Sequence, residues 1–134
     1  MFKKAEHIGI AVKNISESVK LFEILLNSPC YKTEIVDSEK VTTAFFRTGE
    51  SKIELLESSS PDSAIAKFIE MRGEGLHHIA FEVANIEEEM ARLKEKGFQL
   101  LRDQPFRGAD NKMVCFIHPK SCNGVLVELC QEIK

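Results

Sequence analysis

Four side chains of this sequence could hold a metal together, His7, Glu54, His78 and Glu128, and the two glutamates each break an apolar run. Glu54 lies between Ile53 and Leu55, and Glu128 between Val127 and Leu129. If those runs are strands, alternation turns each carboxylate away from the face on which its apolar neighbours pack. His7 begins a run in which Ile8, Ile10 and Val12 share one face, while the imidazole shares the other with Gly9 and Ala11, residues too small to obstruct it. Two imidazoles and two carboxylates form a donor set suited to a divalent ion of intermediate hardness such as Co, Mn, Ni, Zn or Fe(II). Four protein ligands on an octahedral ion leave two positions open for a substrate.

An internal repeat ties these four residues together. The stretch His7-Ile-Gly-Ile-Ala-Val-Lys-Asn-Ile recurs 71 residues later as His78-Ile-Ala-Phe-Glu-Val-Ala-Asn-Ile, with identities at His7/His78, Ile8/Ile79, Val12/Val83, Asn14/Asn85 and Ile15/Ile86. Phe116 follows Phe45 at the same offset, whereas Glu128 follows Glu54 by 74, so three extra residues are expected in the turn Pro119 to Asn123. A single histidine or glutamate within a strand is usually structural. Their recurrence at equivalent positions of two modules makes a shared task the better reading. His77 alternates to the opposite face from His78 and reads as a packing or outer-shell residue, and His118 has no counterpart in the repeat. The basic turn His118-Pro-Lys-Ser makes Lys120 and Ser121 candidates for holding a substrate carboxylate or phosphate.

The elements that must position these groups follow from periodicity. Residues 7–12 alternate as a strand, and Asn14 with Glu17 forms a capping box ahead of Val19, Phe22 and Leu26 on one helical face, giving a helix over about 15–26. Strands are predicted at about 31–37, 41–47 and 52–57. Ser60-Pro61 reads as an N-cap and first helical residue of a connecting helix over about 60–73. The second module repeats the pattern: a strand on His78, a capping box of Asn85 and Glu88, a helix ended by Gly97, then strands at about 98–102, 113–117 and 124–130. The phenylalanines at strand positions, Phe45, Phe46, Phe81, Phe98 and Phe116, read as core, with one or two lining a cleft. The expected fold is therefore α+β, two tandem βαβββ modules forming a curved, partly closed mixed sheet around the site. Module one covers about 5–57 and module two about 75–131, within one domain over 1–134.

Composition sets limits on partners. A chain of 134 residues buries roughly 70% of its unfolded surface, enough for a core that needs no disulfide or structural metal, so a bound metal would serve chemistry. Lys and Arg number 18 against 21 Asp and Glu, which offers no basic field for nucleic acid. The N-terminus lacks the apolar segment of a signal peptide and no stretch approaches the roughly 20 apolar residues of a membrane span, so no membrane association and a cytoplasmic location are expected. Cys30, Cys115, Cys122 and Cys130 are not spaced as metal knuckles and read as reduced thiols, Cys115 and Cys130 in the core.

The paired modules with histidine and glutamate on equivalent strands resemble the vicinal oxygen chelate superfamily, which includes glyoxalase I, extradiol dioxygenases, fosfomycin resistance proteins and methylmalonyl-CoA epimerases. Within it the similarity is greatest to the epimerase family, through Thr43-Ala-Phe-Phe-Arg-Thr-Gly, Lys52-Ile-Glu-Leu-Leu-Glu, Ser63-Ala-Ile-Ala-Lys-Phe-Ile-Glu, Gly73-Glu-Gly-Leu-His-His-Ile-Ala-Phe-Glu-Val, His118-Pro-Lys-Ser and Gly124-Val-Leu-Val-Glu-Leu. The resemblance implies metal ligands His7, Glu54, His78 and Glu128, an acyl-CoA substrate and a homodimer. It also implies epimerisation at C2 of methylmalonyl-CoA, a reaction that needs a proton donor on each face of C2, and Glu54 and Glu128, on strands of opposite modules, are the candidates for the two catalytic bases. Leu26-Asn-Ser-Pro stands where the family usually has Leu-Gly, and Gly108-Ala-Asp-Asn-Lys where it usually has Gly-Ala-His/Glu-Gly. A glyoxalase I type lyase and a non-catalytic binding or resistance protein are the alternatives on this scaffold. A dioxygenase fits less well, because Glu54 would add a fourth ligand to its two histidines and one carboxylate.

Overall fold

Alternation, capping and turn chemistry produce eight strands and three helices in the computed structural model, which describes residues 1–134. In chain order they are β1 (Phe2–Ala11), α1 (Ile15–Leu26), β2 (Lys32–Val36), β3 (Val41–Thr48), β4 (Ser51–Ser58), α2 (Ala64–Arg72), β5 (Gly75–Val83), α3 (Ile86–Glu95), β6 (Phe106–Arg107), β7 (Lys112–Ile117) and β8 (Val127–Glu132). The chain divides into a first unit, residues 7–77, and a second unit made of residues 1–6 and 78–134. No helix is long and apolar enough to cross a membrane.

In the first unit β1 runs parallel to β4, β4 antiparallel to β3 and β3 antiparallel to β2. The parallel pair needs a crossover, and α1 supplies part of it. Asn14 starts that helix, its side-chain oxygen accepting the Glu17 amide at 3.1 Å, and Glu57 accepts the Ile15 amide at 3.3 Å. Asn27, in the left-handed region at φ 51°, ends it in place of the expected family glycine. Val19, Phe22 and Leu26 then pack on Val12, Ala44, Phe46 and Leu55, the apolar face of the sheet.

The second unit repeats this ladder for ladder. β5 runs parallel to β8, β8 antiparallel to β7 and β7 antiparallel to β6. Asn85 caps α3 through the Glu88 amide at 3.0 Å, and Gln131 accepts the Ile86 amide at 2.7 Å, the positions equivalent to Asn14 and Glu57. Gly97, at φ 93°, lets the chain reverse so that the Phe98 amide reaches the Leu93 carbonyl at 2.9 Å. Met90 and Leu93 of α3 pack with Val83, Cys115, Ile117 and Leu129. Residues 1–6 join this unit: the Ala84 amide donates to the Met1 carbonyl at 3.0 Å, the rings of Phe2 and Phe81 lie 5.5 Å apart, and the Met1 ammonium meets Glu89.

Four sequence expectations change. β1 starts at Phe2 rather than about residue 7, because its early residues pack in the second unit. α2 begins after Ser63, whose Oγ accepts the Ala66 amide at 3.0 Å; Ser60 turns its hydroxyl to Asp62, and Pro61 lies in the preceding turn. The strand expected at 98–102 is a single bridge between Leu100 and Ile117, and the partner of β7 is instead Phe106–Arg107. The last strand starts at Val127, since Pro119–Cys122 forms a 3-10 turn closed by Asn123 in the left-handed region. That turn holds the three extra residues of the second module.

Candidate metal centre

Each unit presents one histidine and one glutamate in the same arrangement. In the first, Gly9 is the register partner of Glu54, and His7 Nε2 stands 3.3 Å from Glu54 Oε1, with both side chains at least nine-tenths buried. In the second, Ala80 is the partner of Glu128, and His78 Nε2 stands 3.2 Å from Glu128 Oε1, again buried. The parallel ladder explains the match. A histidine two residues before the carboxylate's partner lies on the same face, and a glycine or alanine between them keeps the face open.

A phenylalanine closes each pair from the antiparallel side. Phe45 is the register partner of Glu54 and Phe116 that of Glu128. The Phe116 ring meets His78 edge to face, 5.9 Å between centres at 88°. This apolar wall excludes water from one side of the donors, which raises the strength of any charge interaction there. Beyond Glu128 on the same face lies an apolar patch of Ala80, Val114 and Cys130 with Phe106. Cys130 reads from sequence only as core; counting by twos from Glu128 would have placed it on the site face. Cys115 lies on the opposite face with Leu129, its thiol pushed up to about 12 by burial.

The donor spacing fits a metal. Two donors each about 2.1 Å from an ion and at right angles stand roughly 3 Å apart, close to the separation within each His–Glu pair. Burial of a charged carboxylate costs several kcal/mol unless an opposite charge compensates. Glu54 and Glu128 each stand on a strand where an apolar residue would pack, beside a histidine that shares the buried face.

The remaining candidates take other places. His77 packs edge to face on Phe68 of α2, 4.9 Å between ring centres. His118 Nδ1 accepts the Lys120 amide at 3.0 Å and so caps the 3-10 turn. Ser121 Oγ accepts the Gln99 amide at 2.9 Å, while the Lys120 side chain is exposed. The loop from Gly108 to Asn111 joins β6 to β7 with Asp110 and Asn111 both left-handed, at φ 59° and 54°. Asparagine tolerates that region, which accounts for its standing where a glycine was expected. Lys112, just beyond, is buried with its ammonium 3.7 Å from Glu132. Sequence reasoning missed it, although alternation from Phe116 places it on the site face.

Comparison with known proteins agrees with the fold. Residues 6–116 match the family described as the Glyoxalase/Bleomycin resistance protein/Dioxygenase superfamily. An uncharacterised protein of Bacillus subtilis is 41% identical over 96% of this chain and 91% of its own length. An ethylmalonyl-CoA/methylmalonyl-CoA epimerase of Cereibacter sphaeroides is 36% identical over 98% of this chain and 99% of its own length. Among solved structures, a methylmalonyl-CoA epimerase variant of Streptomyces coelicolor in complex with 2-nitronate-propionyl-CoA superposes with a TM-score of 0.95. It is 33% identical and covers 98% of this chain and 96% of that one.

Proposed function

Because the chain belongs to the glyoxalase/bleomycin resistance protein/dioxygenase superfamily, we propose that it is a metal-dependent isomerase that interconverts the (R) and (S) forms of methylmalonyl-CoA. The observation that carries this reading is the pair of buried His–Glu contacts in identical register, His7 with Glu54 and His78 with Glu128. Similarity over nearly the whole chain to enzymes named as methylmalonyl-CoA epimerases supports the substrate. On this reading the two pairs serve one ion: two neutral imidazoles and two carboxylates balance a dication such as Co, Mn, Ni or Zn. The single domain, the homodimer and a cytoplasmic location are parts of the same proposal, and sedimentation at assay concentration tests the dimer.

A divalent ion in that donor set would act as a Lewis acid on the thioester oxygen and lower the cost of charge developing as the C2 proton leaves. The protein's own groups do the rest. Epimerisation removes a proton from one face of C2 and returns one to the other, so it needs an acid–base group on each side. Glu54 and Glu128, from the equivalent strands β4 and β8, are assigned these roles, each ionised form taking the proton and each protonated form giving one back. Phe45 and Phe116 shield the carboxylates from water. Lys120 and Ser121 contact the substrate's polar arm beyond the reacting carbon.

In D2O the C2 proton of substrate is expected to wash out at a rate comparable to turnover, and chelator is expected to stop both. Glu128→Gln is expected to lose two to four orders of magnitude in kcat, the usual share of a positioned acid–base group. Full activity in that variant would remove Glu128 from its role.

A further inference from the structure

The face of the first unit that carries His7 and Glu54 also carries cations to which the proposed chemistry gives no task. Lys52 is the register partner of both His7 and Arg47, and Lys32 is that of Phe45, so alternation brings all three cations to the site face. The Lys32 ammonium lies 5.0 Å from the centre of the Phe45 ring, and the Arg47 guanidinium 4.4 Å from that of Tyr31. The two rings are themselves 6.2 Å apart, and Tyr31 is exposed. Glu34 lies 3.6 Å from Lys32 on the same edge strand.

Like charges directly opposite across two strands repel, as Arg47 and Lys52 do here. Three cations gathered beside an exposed ring on one face are recognition elements for an anionic ligand.

Resting on the epimerase reading for the ligand's identity, we infer that Tyr31, Lys32, Arg47 and Lys52 seat the phosphate-bearing end of the coenzyme A thioester. Arginine takes a phosphate through paired N–H donors and lysine as a point charge. The Tyr31 ring offers a flat surface on which a nucleobase stacks. Phosphate on Lys32 competes with Glu34, which keeps that contact reversible. The first unit then binds the coenzyme as well as supplying one His–Glu pair.

The test compares methylmalonyl-CoA with methylmalonyl-pantetheine, which lacks every phosphate, as substrates of the metal-loaded protein. In the wild type the coenzyme A thioester is expected to have the lower KM. In the double variant Arg47→Gln/Lys52→Gln its KM is expected to rise about tenfold or more, bringing the ratio of the two KM values toward one. Equal effects on both thioesters, no effect on either, or loss of the preference in Lys120→Gln instead would overturn the inference. Calorimetry with coenzyme A itself separates this from the reaction. A wild type that binds coenzyme A, with binding weakened in the double variant, upholds the seat even if no epimerisation is found, and that result would overturn the enzyme assignment alone. A wild type that does not bind coenzyme A overturns the seat.

Discussion

At the scale of single residues, the informative ones are those placed where packing alone would not put them. Glu54 and Glu128 could be read from sequence because each breaks an apolar run and each has a counterpart in the other module. Lys112 and the site-face position of Cys130 follow from the same alternation, counted from Phe116 and from Glu128, but the predicted strand at about 113–117 stops one residue short of Lys112 and the apolar run around Cys130 hides which face it takes. Truncating a ligand tests the site without assuming the reaction. His78→Ala is expected to lower zinc or cobalt affinity by at least tenfold, measured by competition with a chromogenic chelator, while Phe98→Leu, in the apolar cluster of the opposite face, is expected to leave affinity as it was. Charge on the far side of the molecule follows a different rule. The Met1 ammonium and the Arg92 guanidinium, 2.9 Å away, hold the Glu89 carboxyl below its ordinary value of 4.5. A carboxyl whose folded value is lowered adds stability above its ordinary value and loses it as pH falls through the folded one. Acid unfolding of Glu89→Gln is therefore expected to show a shallower loss of stability below about pH 4.5 than the wild type.

Elements followed from sequence wherever local chemistry and tertiary packing agree. The capping boxes at Asn14 and Asn85 placed the starts of α1 and α3, since in each helix one side chain satisfies an otherwise unpaired amide. The start of α2 was not legible because Ser58, Ser60 and Ser63 compete, and the choice falls to contacts among them: the Ser63 hydroxyl donates to Ser58 Oγ at 2.7 Å and accepts from Ala66. The stretch 98–102 fails as a strand although its composition suits one. The reversal at Gly97 ties Phe98 back to α3, and only Leu100 pairs with Ile117, so one bridge forms where a ladder was expected. Loss of a cap is expected to cost about 1 kcal/mol. Asn85→Ala should thus lower the thermal midpoint by about 4 °C, and Asn14→Ala by a similar amount if the modules are equivalent as their registers indicate. Calorimetry on the metal-free protein reads both.

At the scale of the whole molecule, duplication explains more than any single motif. One module supplies one imidazole and one carboxylate, half of an octahedral ion's protein ligands; a second copy supplies the same set, and the chain need evolve the donor geometry only once. The equivalent hydrogen bonds, Ile15 to Glu57 and Ile86 to Gln131, show that the copies still share their frame while their side chains have diverged. Lys52 of the first module against Leu126 of the second is one such divergence. If both pairs bind one ion, metal must stabilise the fold as a whole. At a free concentration one hundred times its dissociation constant it is expected to add about 2.7 kcal/mol, lost again on chelation.

The central claim is that these two His–Glu pairs carry out proton transfer at the carbon between a thioester and a carboxylate. Its most direct test is to give pure (S)-methylmalonyl-CoA to metal-reconstituted protein and follow the stereochemistry at C2. Conversion to an equal mixture of (R) and (S) is expected, faster than the buffer control by orders of magnitude and abolished by chelator or by Glu54→Gln/Glu128→Gln. Retention of pure (S) substrate by protein that demonstrably holds its metal would contradict it.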